Sequence, residues 1–188
     1  EGYKRKGLRV AGQPEPADSG GNRRQRRTRA QLNEKMAVAE LYSPPRMSKA
    51  ASRHGLKGGW SLDLIVLDEE DGLPWDLSVP AKQERARAKL REDEPMMLIV
   101  CPPCGPFSSW QNVNYEKLDD KVVEEKLRDG MRHLAFAVSL CLEQVRAGRL
   151  FLFEHPAQAT SWSTAMLQRL ATEKNVEKIT FDFCALGM

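Results

Sequence analysis

Residues 96–108 read Met-Met-Leu-Ile-Val-Cys-Pro-Pro-Cys-Gly-Pro-Phe-Ser, an apolar run that breaks into a proline turn. Alternation would mark a strand wetted on one face. The unbroken run 96–100 instead predicts a strand buried on both faces, as in the middle of a parallel sheet. Pro102 and Pro103 fix φ and remove two amide donors, so the turn after the strand is rigid and has one exit direction. Gly105 then permits a tight approach to the preceding cysteine. Cys104 is thereby held at a strand end, where a thiol is placed to attack a bound substrate, provided that its pKa is lowered. Other readings of these residues stay open. Cys101-x-x-Cys104 has the form of a redox pair or half a zinc site, although zinc needs two further ligands. Cys104 is otherwise a structural cysteine.

On either side of this turn, short apolar runs alternate with helical segments. Residues 37–43 (AVAELYS) predict a first strand, followed by a helix over 44–56 with Ser43 as its cap and Pro44 in its first turn. Residues 60–67 (WSLDLIVL) predict a second strand, closed by the turn-rich 68–74. A helix with Pro80 near its start covers 79–94. Apolar residues at 118, 122, 123, 127, 131, 134, 138, 141, 142 and 145 fit one long amphipathic helix, with Gly148 as its stop. Residues 150–153 (LFLF) predict the next buried strand, 161–174 a helix, and 176–183 (VEKITFDF) an outer strand. Strand and helix in strict alternation predict an α/β fold with a doubly wound, mostly parallel sheet. Ligands of such sheets bind beyond the carboxyl ends of the strands. The polar clusters of this chain fall there: after Leu41, at Asp63, at Cys104 and at Glu154.

The bulk composition fits one such domain with a tail. The chain has 188 residues, 41% hydrophobic and 29% charged, and no apolar run approaches the length of a membrane span. No secretory pattern opens it. Four scattered cysteines do not form a disulfide framework, which favours a reducing, intracellular setting, nuclear or cytoplasmic. Glu1 at the start, and Met188 directly after an apparent strand, suggest a piece of a longer protein. The net charge of +3 is uneven: residues 1–35 carry ten Lys and Arg against four acids, leaving the remainder at −3. Residues 12–22 have a spacer's composition. Residues 23–29 (RRQRRTR) suit a phosphate backbone or serve as a nuclear address. We therefore expect a basic tail or linker over 1–35 and a domain over 36–188.

Glu154 ends the fourth apolar run in Leu152-Phe153-Glu154-His155-Pro156. A carboxylate leaving an apolar strand for a cleft is expected to have a raised pKa, able to hold or donate a proton at neutral pH. Parallel order makes its strand the neighbour of the strand before Cys104. His155 competes as an acid or base, or is simply a turn residue. Asp63 and Asp76 are placed to accept hydrogen bonds from ribose hydroxyls, or are ordinary turn residues. His54 and His133 lie in helices and carry no evident role.

Together these pieces resemble the cytosine-5 DNA methyltransferase family. Pro102-Pro103-Cys104-Gly105-Pro106-Phe107-Ser108 matches the family's Pro-Pro-Cys-Gln-x-Phe-Ser in all but the Gln. Glu154-His155-Pro156 keeps the Glu of its Glu-Asn-Val. Glu40-Leu41-Tyr42-Ser43-Pro44-Pro45-Arg46 keeps the strand and aromatic of its Asp-Leu-Phe-x-Gly-x-Gly but none of the glycines. Residues 183–188 resemble the approach to the later arginine motif, and the target-recognition region is absent. The resemblance implies a Rossmann-like, S-adenosylmethionine-dependent methyltransferase fold. It further implies that Cys104 adds to a flipped cytosine, Glu154 engages its ring nitrogen, and Tyr42, Ser43, Asp63, Asp76 and Pro103 contact the cofactor. DNA, or RNA in its place, is the implied partner. Tyr42–Arg46, Cys104-x-x-Phe107-Ser108 and Glu154–Pro156 are also similar to segments of transposon-derived polyproteins of protists. That setting implies the alternative of a non-catalytic, nucleic-acid-binding or structural relic of the fold.

Overall fold

The computed structural model describes residues 36–109 and 111–182. Four strands, β1 (Val38–Leu41), β2 (Ser61–Leu62), β3 (Met97–Val100) and β4 (Leu150–Phe153), form one sheet. Their order is β2-β1-β3-β4 and every pairing is parallel. This is an α/β architecture with an all-parallel four-stranded sheet, compatible with a Rossmann-like arrangement. The register runs Leu41 against Val100 and Val100 against Phe153, so β1, β3 and β4 end level. Leu98 and Val100 are fully buried, as the apolar run predicts.

The helices follow local signals closely. α1 (Met47–Arg53) is shorter than the expected 44–56. α2 (Pro80–Asp93) begins on its proline, and Lys82, Ala86 and Leu90, spaced four apart, are its buried stripe. A short α3 (Gln111–Tyr115) precedes α4 (Asp120–Arg146), the predicted long helix. The Asp119 side chain caps α4 by accepting from the Lys121 amide, and Gly148 beyond its end takes φ +67°. α4 packs on β3 and β4, whereas α1 packs on β1. After β4 the expected 161–174 helix divides into a 3₁₀ turn, Thr160–Ser163, and α5 (Ala165–Ala171), separated by the Thr164 cap.

Three expectations are corrected. The second strand stops at Leu62, because the Asp63 carboxylate turns the chain by accepting from the Ile65 amide. Leu64, Ile65 and Leu67 are then exposed. Residues 176–182 are not a strand; Phe183 and Cys184 lie outside the described residues. β4 is consequently a sheet edge among the described residues, and Leu150 is 64% exposed rather than buried.

The long stretch 63–79 is pinned by buried charge. Lys82 Nζ lies 2.8 Å from Asp68 and 2.7 Å from Asp71, and 5.1 Å from the centre of the Trp75 ring. The Arg85 guanidinium joins both acids. Among the described residues no helix is long and apolar enough to cross a membrane.

Candidate functional site at the carboxyl ends of the strands

The chain leaves β1 toward the β2 side and leaves β3 toward the β4 side. The topological switch point, where such sheets bind ligands, therefore lies between the ends of β1 and β3. Main-chain bonds align the strand exits. The Cys101 amide donates to Leu41 O at 3.2 Å, Tyr42 to Leu62 O at 3.0 Å, and Glu154 to Val100 O at 3.0 Å.

The turn after β3 is held from several sides. Pro102 is buried and Pro103 exposed; Cys104 is half-buried and opens the 3₁₀ turn Gly105–Phe107. His155 Nε2 donates to Pro102 O at 3.2 Å. A carbonyl only accepts, so Nε2 carries the proton and Nδ1 accepts from the Ser161 hydroxyl at 2.7 Å. Burial lowers the His155 pKa against the pull of the Pro102 and Pro103 backbone, which favours this neutral form. Tyr115 donates to Pro106 O at 3.0 Å and Thr160 to Phe107 O at 3.3 Å. α4 approaches the turn at Gly130, where an added Cβ would sit 2.9 Å from Pro106. His155 is thus more than a turn residue, and its role was hidden from local sequence because its partners lie 53 and 6 residues away.

β3 and β4 are neighbours, as expected, and the register makes Cys101 and Glu154 the residues that emerge side by side. Cys104 follows three residues later. Burial raises the Glu154 pKa, as anticipated for an acid at an apolar strand end. The Cys101 thiol is pushed up to about 11, by burial first and then by the charges of Glu154 and Glu40, with Arg46 opposing. A thiol so placed stays protonated at neutral pH and is a poor nucleophile. Cys101, Cys104 and Cys141 are free, and Cys141 is buried in α4. Among the described residues no group of three or more His, Cys, Asp or Glu is placed to hold a metal ion.

The β1–α1 turn departs from the expected capping. Ser43 does not cap the helix: its one hydroxyl proton is shared between Glu40 Oε2 at 3.3 Å and Pro44 O at 3.1 Å. Glu40 does the work instead. Its carboxylate, 1% exposed, accepts from the Ser48 amide at 2.8 Å and the Ser48 hydroxyl at 2.7 Å. Pro44 and Pro45 contribute no amide, and the Arg46 amide turns back to Pro44 O. A side chain of the chain itself thus takes the first-turn donor that a ligand would use elsewhere.

Beside this turn Tyr42 sits at φ +57°, a left-handed conformation unfavourable for an aromatic residue. Its hydroxyl meets His133 Nδ1 at 3.1 Å, with the two rings edge to face. The Asp76 charge acts on both side chains. Asp76 itself accepts from the Ser78 amide at 2.9 Å; the Ser78 hydroxyl first, and then this amide, lower its pKa. The structure therefore joins Tyr42 and Asp76 and adds His133, which the sequence left without a role. Asp63 lies just past β2 and is occupied by its own turn.

Compared with family models, curated proteins and solved structures, the chain matches none.

Proposed function

We propose that residues 36–188 form a cytosine-5 DNA methyltransferase-like domain in which Cys104 is the nucleophile and Glu154 the acid. The supporting observation is that the Cys104 turn and Glu154 leave adjacent parallel strands at the same end of the sheet, beside the switch point. In this reading the Cys104 thiolate adds to carbon 6 of an extruded cytosine. Glu154, its pKa raised by burial, gives a proton to ring nitrogen 3 as electron density moves toward carbon 5. Loss of the carbon 5 proton later expels the Cys104 thiolate, and the ring nitrogen 3 proton returns to Glu154, which frees the enzyme in its starting state. S-adenosylmethionine, when bound, supplies an electrophilic methyl group. In this reading the Tyr42 ring and the Asp76 carboxylate would hold its adenosyl half, while Asp63 is taken up by its own turn. The residues present offer no amide cradle for its amino-acid half. Residues 23–29 are the segment suited to the DNA backbone.

One observation favours a second reading, a non-catalytic nucleic-acid-binding relic of this fold within a mobile-element polyprotein. The turn after β1 is filled by Pro44 and Pro45, and its Glu40 carboxylate is already satisfied from within. Incubation of the full-length protein with methyl-tritiated S-adenosylmethionine and DNA separates the two. Tritium in DNA, together with a covalent adduct on 5-fluorocytosine DNA that Cys104→Ser abolishes, is the result expected of the enzyme. DNA retention with neither product would leave the relic reading in its place.

A further inference from the structure

Pro102 and Pro103 leave the turn before Cys104 without local amide donors. A buried carbonyl there needs a donor from elsewhere in the chain, and His155 supplies it to Pro102 at 3.2 Å. The imidazole is buried, braced by Ser161 at 2.7 Å, and surrounded by the rings of Phe107, Phe153 and Trp162. Phe107 belongs to the Cys104 turn and Phe153 ends β4, so the imidazole touches both walls of the site.

We infer that His155 is a positioning residue, a neutral strut that fixes the Pro102–Cys104 turn relative to Glu154. This rests on the reading of Cys104 as the attacking group. Glu154 and His155 are consecutive residues leaving one strand. The acid and the nucleophile's support are therefore set by a single main-chain exit, and displacement of the turn changes the approach of Cys104 without altering its thiol. His155 donates to a carbonyl and accepts from a hydroxyl, so it takes no part in proton transfer to substrate.

The test uses the full chain and three variants. His155→Phe keeps the ring packing and loses both hydrogen bonds; His155→Gln places an amide donor near the former Nε2. In His155→Phe, amide exchange over residues 101–108 is expected to rise about tenfold, the scale of one lost buried hydrogen bond. Exchange in α4 stays unchanged, and His155→Gln returns the turn to within about twofold of wild type. Covalent capture on 5-fluorocytosine DNA should fall and recover in parallel, while alkylation of Cys104 by iodoacetamide holds constant. Should His155→Phe fail to fold, Ser161→Ala removes the brace alone and is expected to give a smaller change of the same sign. Wild-type exchange in the variants, or loss without rescue by Gln, overturns the strut. Absence of any adduct in wild type removes the methyltransferase reading instead, and the exchange and rescue data then decide the strut alone.

Discussion

The Tyr42 hydroxyl and His133 Nδ1 meet at 3.1 Å across 91 residues of sequence, tying the end of β1 to the middle of α4. The bond compensates a tyrosine backbone held at φ +57°. Tyr42→Phe is expected to lower stability by about 1 kcal/mol, the net worth of one such bond, measured by urea denaturation. A variant as stable as wild type would show that the bond contributes nothing net.

His133 and His155 have folded pKa values below their ordinary 6.5, with burial the leading cause for each. Below 6.5 the unfolded chain therefore binds protons that the native state refuses, so their contribution to stability is full above 6.5 and shrinks as the pH falls. The urea midpoint should drop from pH 7 to pH 5, and less steeply in His155→Gln. Glu154 works in the opposite direction. Its raised pKa gives stability below 4.5 that is lost as the pH climbs through the folded value.

Glu40→Ala leaves the buried Ser48 amide and hydroxyl without their acceptor. A loss of about 1–3 kcal/mol follows, with exchange in α1 rising more than exchange in α4. Uniform exchange across both helices would contradict the local role assigned to this carboxylate.

At Gly130 two effects compete. Alanine raises helix propensity by about 1 kcal/mol, yet its Cβ would stand 2.9 Å from Pro106, an overpacking that costs about 1–3 kcal/mol. The clash wins or roughly balances, so Gly130→Ala should show equal or lower stability. Its clearer effect is on 5-fluorocytosine adduct formation, which should slow because the Cys104 turn must move.

Cys101 and Cys104 should separate chemically. With its pKa near 11, about one Cys101 thiol in a thousand is ionised at pH 8. Peptide fragmentation after brief iodoacetamide treatment should therefore find Cys104 labelled first. Prior labelling of Cys101 would reverse the assignment of the nucleophile.

The sequence revealed the elements whose signals are local. The apolar run 96–100, the repeat within α4, Pro80 and Gly148 each act within a few residues, and each lies where its chemistry puts it. Leu64, Ile65 and Leu67 misled, because an apolar run is also compatible with an exposed loop once Asp63 turns the chain. Residues 176–182 alternate like a strand yet do not form one, because alternation alone does not place a segment in a sheet. In the site, the strand-end placement of Cys104 and Glu154 was legible. The Glu40–Ser48 bond, the Tyr42–His133 contact and the His155 strut were not, since each depends on distant residues that only folding brings into reach.

Only Arg149 and the four residues of β4 separate Gly148 from the pair Glu154-His155, and the register against β3 is fixed at Phe153 opposite Val100. Side chains alternate faces along a strand, so a slip by one residue exchanges inward and outward positions. A single residue inserted after Gly148 would carry Glu154 out of place and leave the Pro102 carbonyl unsupported, though no functional side chain had been changed. The 63–73 stretch lies outside the sheet and is held instead by Asp68, Asp71 and the Leu67–Pro74 bridge, none of which positions a strand-end residue. Tolerance to insertion and deletion should therefore differ sharply between these two segments, and the length of β4 is as much a determinant of the site as the residues at its end.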